Sequence, residues 1–254
     1  MNKNTMKNRT LLTVVLLAIL LIVASAIYIV YISSDPFNDL VTRYPNGAFN
    51  DTGSYKIDTE TILATLAQGE TDVFTLELAT PQAPLEKVIM WHQSDYLEIA
   101  SALHQFVWSE KLDNWNLYSM SFDASCQDGS NGFLNGDFTY FKTVFHGGKL
   151  TYTAHEILIS PQYENVSWGG GMDFPRPVLG WKSIVLNRLK VTSENALKIA
   201  EENGGSTARL AAENKCTISL ILSGYTGWNV VYEGSDGLFI FEIKIDPYTG
   251  RVSK

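Results

Sequence analysis

Residues 11–32 carry no charged side chain, and the 22-residue run LLTVVLLAILLIVASAIYIVYI is apolar almost throughout. As a helix rising about 1.5 Å per residue it spans roughly 33 Å, enough to cross a hydrocarbon core about 30 Å thick. Lipid offers no partner for backbone N–H and C=O groups, so a helix is the form open to such a segment. Lys3, Lys7 and Arg9 precede it, and the first acidic residue is Asp35. That asymmetry predicts a cytoplasmic tail over 1–10 and places the chain after residue 32 outside the cell. Tyr28 and Tyr31 fall at the far end, where amphipathic rings favour the interface. Cleavage after Ala24-Ser25-Ala26 is the competing expectation. The run continues through Ile27, Ile29, Val30 and Ile32, longer than the 7–15 residues usual for a signal h-region. An uncleaved single-pass anchor in the cell membrane is therefore expected, with the bilayer as partner of residues 11–32.

Beyond the anchor the chain is acidic. It holds 27 Asp+Glu against 19 Lys+Arg, a formal net charge of −8, and three of the basic residues lie before the apolar run. A broad phosphate-binding face is improbable on that balance, and no nucleic-acid partner is expected. Residues 33–58, rich in Ser, Asp, Asn, Pro and Gly, read as a linker. Residues 59–68 have modest helical character and 72–79 alternate as a strand.

A helix over 94–112 places Tyr96, Leu97, Ile99, Ala100, Leu103, Phe106 and Val107 on one face, with Ser94 suited as N-cap. Strands follow at 115–123, 137–146 and 150–159, then a Gly/Pro-rich connector over 168–181. Thr192 or Ser193 caps a second helix that Gly204-Gly205 would stop. Three further strands read at 215–222, 228–233 and 238–245. In the last, Phe239, Phe241, Ile243 and Ile245 alternate with Glu242 and Lys244, which predicts one buried face and one wet one. The expected fold class is α+β. After the transmembrane helix come two α-β-β-β units, at 59–180 and 181–254, each a helix packed on its own antiparallel sheet.

The helix TSENALKIAEENGG, the strand WNVVYEG and the ending LFIFEIKIDPYTGRV together resemble the PepSY domain. The likeness covers about residues 190–254, and its terminal motif falls on Asp246, Thr249, Gly250 and Val252. The resemblance implies an Ala-rich helix on a short antiparallel sheet, in an envelope protein that inhibits or regulates a peptidase without catalysis. Read from the residues alone, Asp246 before Pro247 suits an Asx-type turn and Gly250 a positive φ.

Chemistry is sparse. His92, His104, His146 and His155 include no pair at the spacing of a helical zinc site. His104 lies at the edge of an apolar stripe, and His155 and Glu156 point to opposite sides of a strand. Glu201 and Glu202 diverge by about 100° on a helix and read as a solvated face. No nucleophile elbow, P-loop or dinucleotide fingerprint is present.

The loop 123–137 gathers Asp123, Asp128, Ser130, Asn131, Asn135 and Asp137, but Gly132 breaks the calcium-loop spacing, and no metal or cofactor is expected. Trp168, Phe174 and Arg176 in the connector are partner-contact candidates by residue type. Cys126 and Cys216 could pair outside the cell, closing a loop of about 90 residues. Asn50 and Asn165 each open an Asn-x-Ser/Thr pattern. The expectation is a non-enzymatic binding or regulatory module with a protein partner, a peptidase among the candidates. A sensor for a small extracellular ligand or ion is the alternative.

Overall fold

A computed structural model describes residues 51–70, 73–76, 83–127, 132–146, 149–174 and 182–253, together with Ser25. The apolar segment 11–32 otherwise lies outside the described residues. Among those residues no helix is long and apolar enough to cross a membrane.

Among the described residues ten antiparallel strands form one sheet. They are β1 (Asp51–Lys56), β2 (Thr75–Leu76), β3 (Asn116–Ser125), β4 (Asn135–His146), β5 (Lys149–Ser160), β6 (Asn165–Phe174), β7 (Cys216–Ser223), β8 (Gly227–Gly234), β9 (Phe239–Ile245) and β10 (Val252–Ser253). Their order is β10-β9-β8-β7-β3-β4-β5-β6-β1-β2. Helix α1 (Ile62–Ala67) is short, α2 (Gln93–Trp108) is the longest among the described residues, and α3 (Ser193–Ala200) continues across a kink into α4 (Ser206–Ala211).

This corrects the expected fold class. Two α-β-β-β units with separate sheets do not form; β3 and β7 pair along their length, from Ser119↔Ser223 to Ser125↔Thr217, and fuse all strands into one sheet. The reason lies in the strands' edges. Both are alternating strands of similar length, and pairing them satisfies two rows of backbone groups that separate sheets would leave bare.

One face of the sheet holds the core. Along β7, Cys216, Ile218, Leu220 and Leu222 are buried while Thr217, Ser219 and Ile221 point the other way. Met120 and Phe122 of β3 and Val230 and Tyr232 of β8 continue that face. Helix α2 sets Tyr96, Ile99 and Leu103 into the same core, each buried side chain stabilising the fold by about 1.5–3 kcal/mol. Ala196, Leu197 and Ala200 of α3 join it, the two alanines letting the helix backbone come close to the sheet.

The first turns of α2 and α3 cap each other. Gln93 Oε1 accepts the Ser193 N–H at 2.7 Å, and Glu194 Oε1 accepts the Gln93 N–H at 2.8 Å. Each helix thereby gives the other a partner for a backbone donor left over at its N-terminus. Ser94 is not the cap of α2; His92 is, with Asp95 reaching back to the His92 amide at 2.9 Å.

Three local expectations also change. The supposed linker ends early, because Asp51–Lys56 is β1, paired with β6. The first half of the Gly-rich connector, residues 168–174, belongs to β6, running Asn165–Phe174, and the rest lies outside the described residues. A side chain at Gly170 would meet the Trp108 indole at 2.8 Å, so glycine is what lets α2's last turn rest on the strand. Gly204-Gly205 does not stop the helix. Gly204, at φ +122°, kinks it, and the Asn203 and Ser206 side chains donate to the carbonyls of Ile199 and Glu201 at the bend.

Candidate functional site

The PepSY-like motif folds into the turn that reverses β9 into β10. Asp246 Oδ1 accepts the N–H groups of Tyr248 and Thr249 at 2.9 and 2.7 Å, and Gly250, at φ +74°, donates its N–H to the Asp246 carbonyl at 2.8 Å. Hydrogen bonds from Thr249 and from the Tyr248 amide hold the Asp246 carboxyl below its ordinary range. The Pro247 carbonyl accepts the N–H groups of Lys190 and Val191, tying the turn to the segment that enters α3. Val252 then pairs with Ile245 and Ser253 with Lys244. The motif's side chains are thus engaged in building a corner.

The corner determines what lies beside it. Strand β10 covers only Ile245 and Lys244, so along Phe239–Ile243 the outer edge of β9 has no strand partner among the described residues. Asp246 bonds toward the β10 side through its N–H to the Arg251 carbonyl, 2.8 Å. Antiparallel alternation then directs the N–H and C=O of Glu242 outward along that bare stretch, up to the bulge at Ile240. Next to it Leu238, Phe239 and Ile240 are 65%, 75% and 37% exposed. Phe239, expected in the buried row, is shifted out of it by a bulge: Tyr232 pairs with Phe241 but Glu233 with Phe239. An apolar, unpaired strand edge is a template for another strand, and soluble proteins usually blunt such edges with charge or proline.

The remaining candidates fall elsewhere. Trp168 is half-buried and packs on Tyr55, 6.4 Å between ring centroids, and on Trp108, 5.4 Å. Phe174 ends β6, where its backbone pairs with Tyr152. Arg176 lies outside the described residues. Cys126 and Cys216 form a disulfide with Cα atoms 5.3 Å apart, joining the end of β3 to the start of β7. Of the oxygen-rich loop, Asp128, Ser130 and Asn131 lie outside the described residues. Asp123 Oδ1 accepts the Ser219 hydroxyl at 2.9 Å, on the sheet face opposite the core. Burial, with Glu156 and Asp123 nearby, pushes the Asp137 carboxyl up to about 7, and its Oδ1 has no hydrogen-bond partner among the described residues. No group of three metal-ligating side chains forms among the described residues.

Two placements were not foreseen. His104 is fully buried, not at a boundary, and meets His155 from 51 positions away. Its Nδ1 lies 2.9 Å from the Glu110 carbonyl and so carries the proton; Nε2 then accepts from His155 Nδ1 at 3.0 Å. Trp108 and Trp115 sandwich the His155 ring at 3.8 and 4.0 Å. Burial, reinforced by His104, lowers the His155 pKa to about 3, so the ring is neutral at ordinary pH. Such a pair fills and orients a core. Glu201, read as solvated, instead accepts the Tyr232 hydroxyl at 2.7 Å and pairs with Arg209 at 3.0 Å.

No known family matches this chain, and neither a curated protein nor a solved structure is similar to it.

Proposed function

We propose that this chain is a membrane-anchored, extracytoplasmic, PepSY-like module that binds a protein partner without transforming it, and that a peptidase is the partner it regulates. The bare edge of β9, beside exposed Leu238, Phe239 and Ile240, carries this reading. An extended segment of the partner adds there in line with β10. Main-chain hydrogen bonds to Glu242 supply affinity, and the apolar side chains supply selectivity. The uncharged run 11–32 behind a basic tail supports the anchor, and the Asp246, Thr249, Gly250 and Val252 motif supports the family reading.

The test places a photo-crosslinker at Phe239 of the full-length chain in its native envelope and maps the captured peptides. The expected result is one extended segment of one protein, lost when Glu242→Pro removes an outward N–H from the edge. Titrating the full-length chain into an assay of the captured protein's peptidase activity should change its rate. Crosslinks scattered over many proteins, or capture unaffected by Glu242→Pro in a chain of unchanged melting temperature, refute edge binding. A captured protein whose turnover ignores the chain refutes regulation.

A further inference from the structure

A cleft of about 590 Å3 opens between the β7–β8 turn and the Asp246–Gly250 corner. Lys182, Lys244 and Arg251 all line it, as do the ring-bearing Tyr225 and Tyr248. This gathering of cations is notable in a chain whose acidic residues outnumber basic ones 27 to 19. Among the described residues neither Lys182 nor Arg251 has a carboxylate within ion-pair distance, and Lys244 reaches only Glu242, at 3.8 Å. Asp246 is the one carboxylate in the lining; its Oδ1 is held by the Tyr248 and Thr249 amides, and its charge offsets part of that of Arg251, so the lining keeps a net positive charge.

The hollow is framed by backbone. Gly224 abuts the Lys182 carbonyl with no room for a side chain, which fixes the 182 segment as one wall. Gly227, at φ +73°, sits where a Cβ would lie 2.8 Å from the Ile245 carbonyl, which closes the opposite side. Three cations held around a preformed hollow concentrate positive potential far more than the same charges on an open surface.

We infer that this cleft binds a phosphate-bearing anion. Lysines act as point charges on phosphate oxygens, and the Arg251 fork matches two of them at once. Tyr225 and Tyr248, 51% and 36% exposed, present hydroxyls and ring faces to the organic remainder of such a ligand. Two sources share this chemistry, a soluble organic phosphate and a phospholipid headgroup. The site is separate from the outer edge of β9, so it stands whether or not a partner strand adds there.

Isothermal titration of the full-length chain in nonionic detergent tests it, using inorganic pyrophosphate in one arm and glycerophosphoglycerol, a deacylated headgroup, in the other. The expected result is saturable binding to at least one probe that weakens as salt is added. Lys182→Gln with Arg251→Gln should weaken it about tenfold or more, and Lys244→Gln alone severalfold. Binding confined to pyrophosphate identifies a soluble phosphate compound, and binding of glycerophosphoglycerol identifies the membrane surface. Absence of saturable binding in both arms overturns the assignment. So does an affinity unchanged in Lys244→Gln, whose side chain is 54% exposed and whose loss leaves the core intact.

Discussion

Replacing Cys126 and Cys216 together with alanine removes a crosslink between residues 90 positions apart. In the chain-entropy treatment, a closed loop of that size restricts the unfolded chain by about 4.6 kcal/mol at 25 °C. For a folded part of this size the loss should lower the melting temperature by about 10–18 °C. A second effect competes for the explanation. Both sulfurs are buried, Cys126 fully and Cys216 to 8% exposure, so truncation also empties a little core volume. That loss amounts to about 1 kcal/mol per site.

The two effects differ in what they alter. Crosslink removal acts on the unfolded state, which expands and exposes more surface, so the urea m-value should rise. Lost packing acts on the native state and leaves m unchanged. Urea melts of wild type, the double variant and Cys126→Ser alone separate them, with the single variant expected to lose nearly as much as the double. A double variant that melts within about 3 °C of wild type with the same m-value would refute the assignment of this bond as a major restraint.

Gln93→Ala should cost about 1–2 kcal/mol in chemical denaturation, because the buried Ser193 amide loses its acceptor and the start of α3 loosens. Asp137 is an acid whose folded pKa is raised, so its ionisation opposes folding between its ordinary 3.8 and about 7. Asp137→Asn should therefore match wild-type stability near pH 4 and exceed it at pH 8, by at most about 4 kcal/mol; a difference that shrinks as pH rises would contradict the placement. Gly170→Ala drives a methyl into the Trp108 indole and should destabilise by about 1–3 kcal/mol, with a shift in tryptophan emission as the second readout.

Strand identity was written plainly in the chain. The alternation over 215–222 and 228–233 matches β7 (Cys216–Ser223) and β8 (Gly227–Gly234) to within a residue at each end, because one face of each strand is dry. Which strands share a sheet was not written there. The same alternation serves a strand at an edge or at a seam, so β3 and β7 gave no sign that they would pair. Strand β6 was hidden for a different reason: Gly169-Gly170-Gly171 has no side chains to alternate, and the explanation for glycine, Trp108, lies over 60 positions away.

The candidate site divides the same way. The Asp246 corner was legible as turn chemistry, whereas the exposure of Phe239 depends on a bulge that its own pattern of alternating residues conceals. His104 and His155 come together only because α2 crosses β5, which no local spacing encodes.

The seam between β3 and β7 also fixes the order in which the molecule can be completed during synthesis. Strand β3 leaves the ribosome roughly 90 positions ahead of the strand that will flank it, a delay of about 5–20 s at ordinary elongation rates. Throughout that interval Met120 and Phe122 stand at the margin of an unfinished β-ribbon with nothing alongside. A nascent chain of this topology needs shelter until its last third has emerged, and a stalled or truncated product would present that margin to its neighbours as a seed for aggregation.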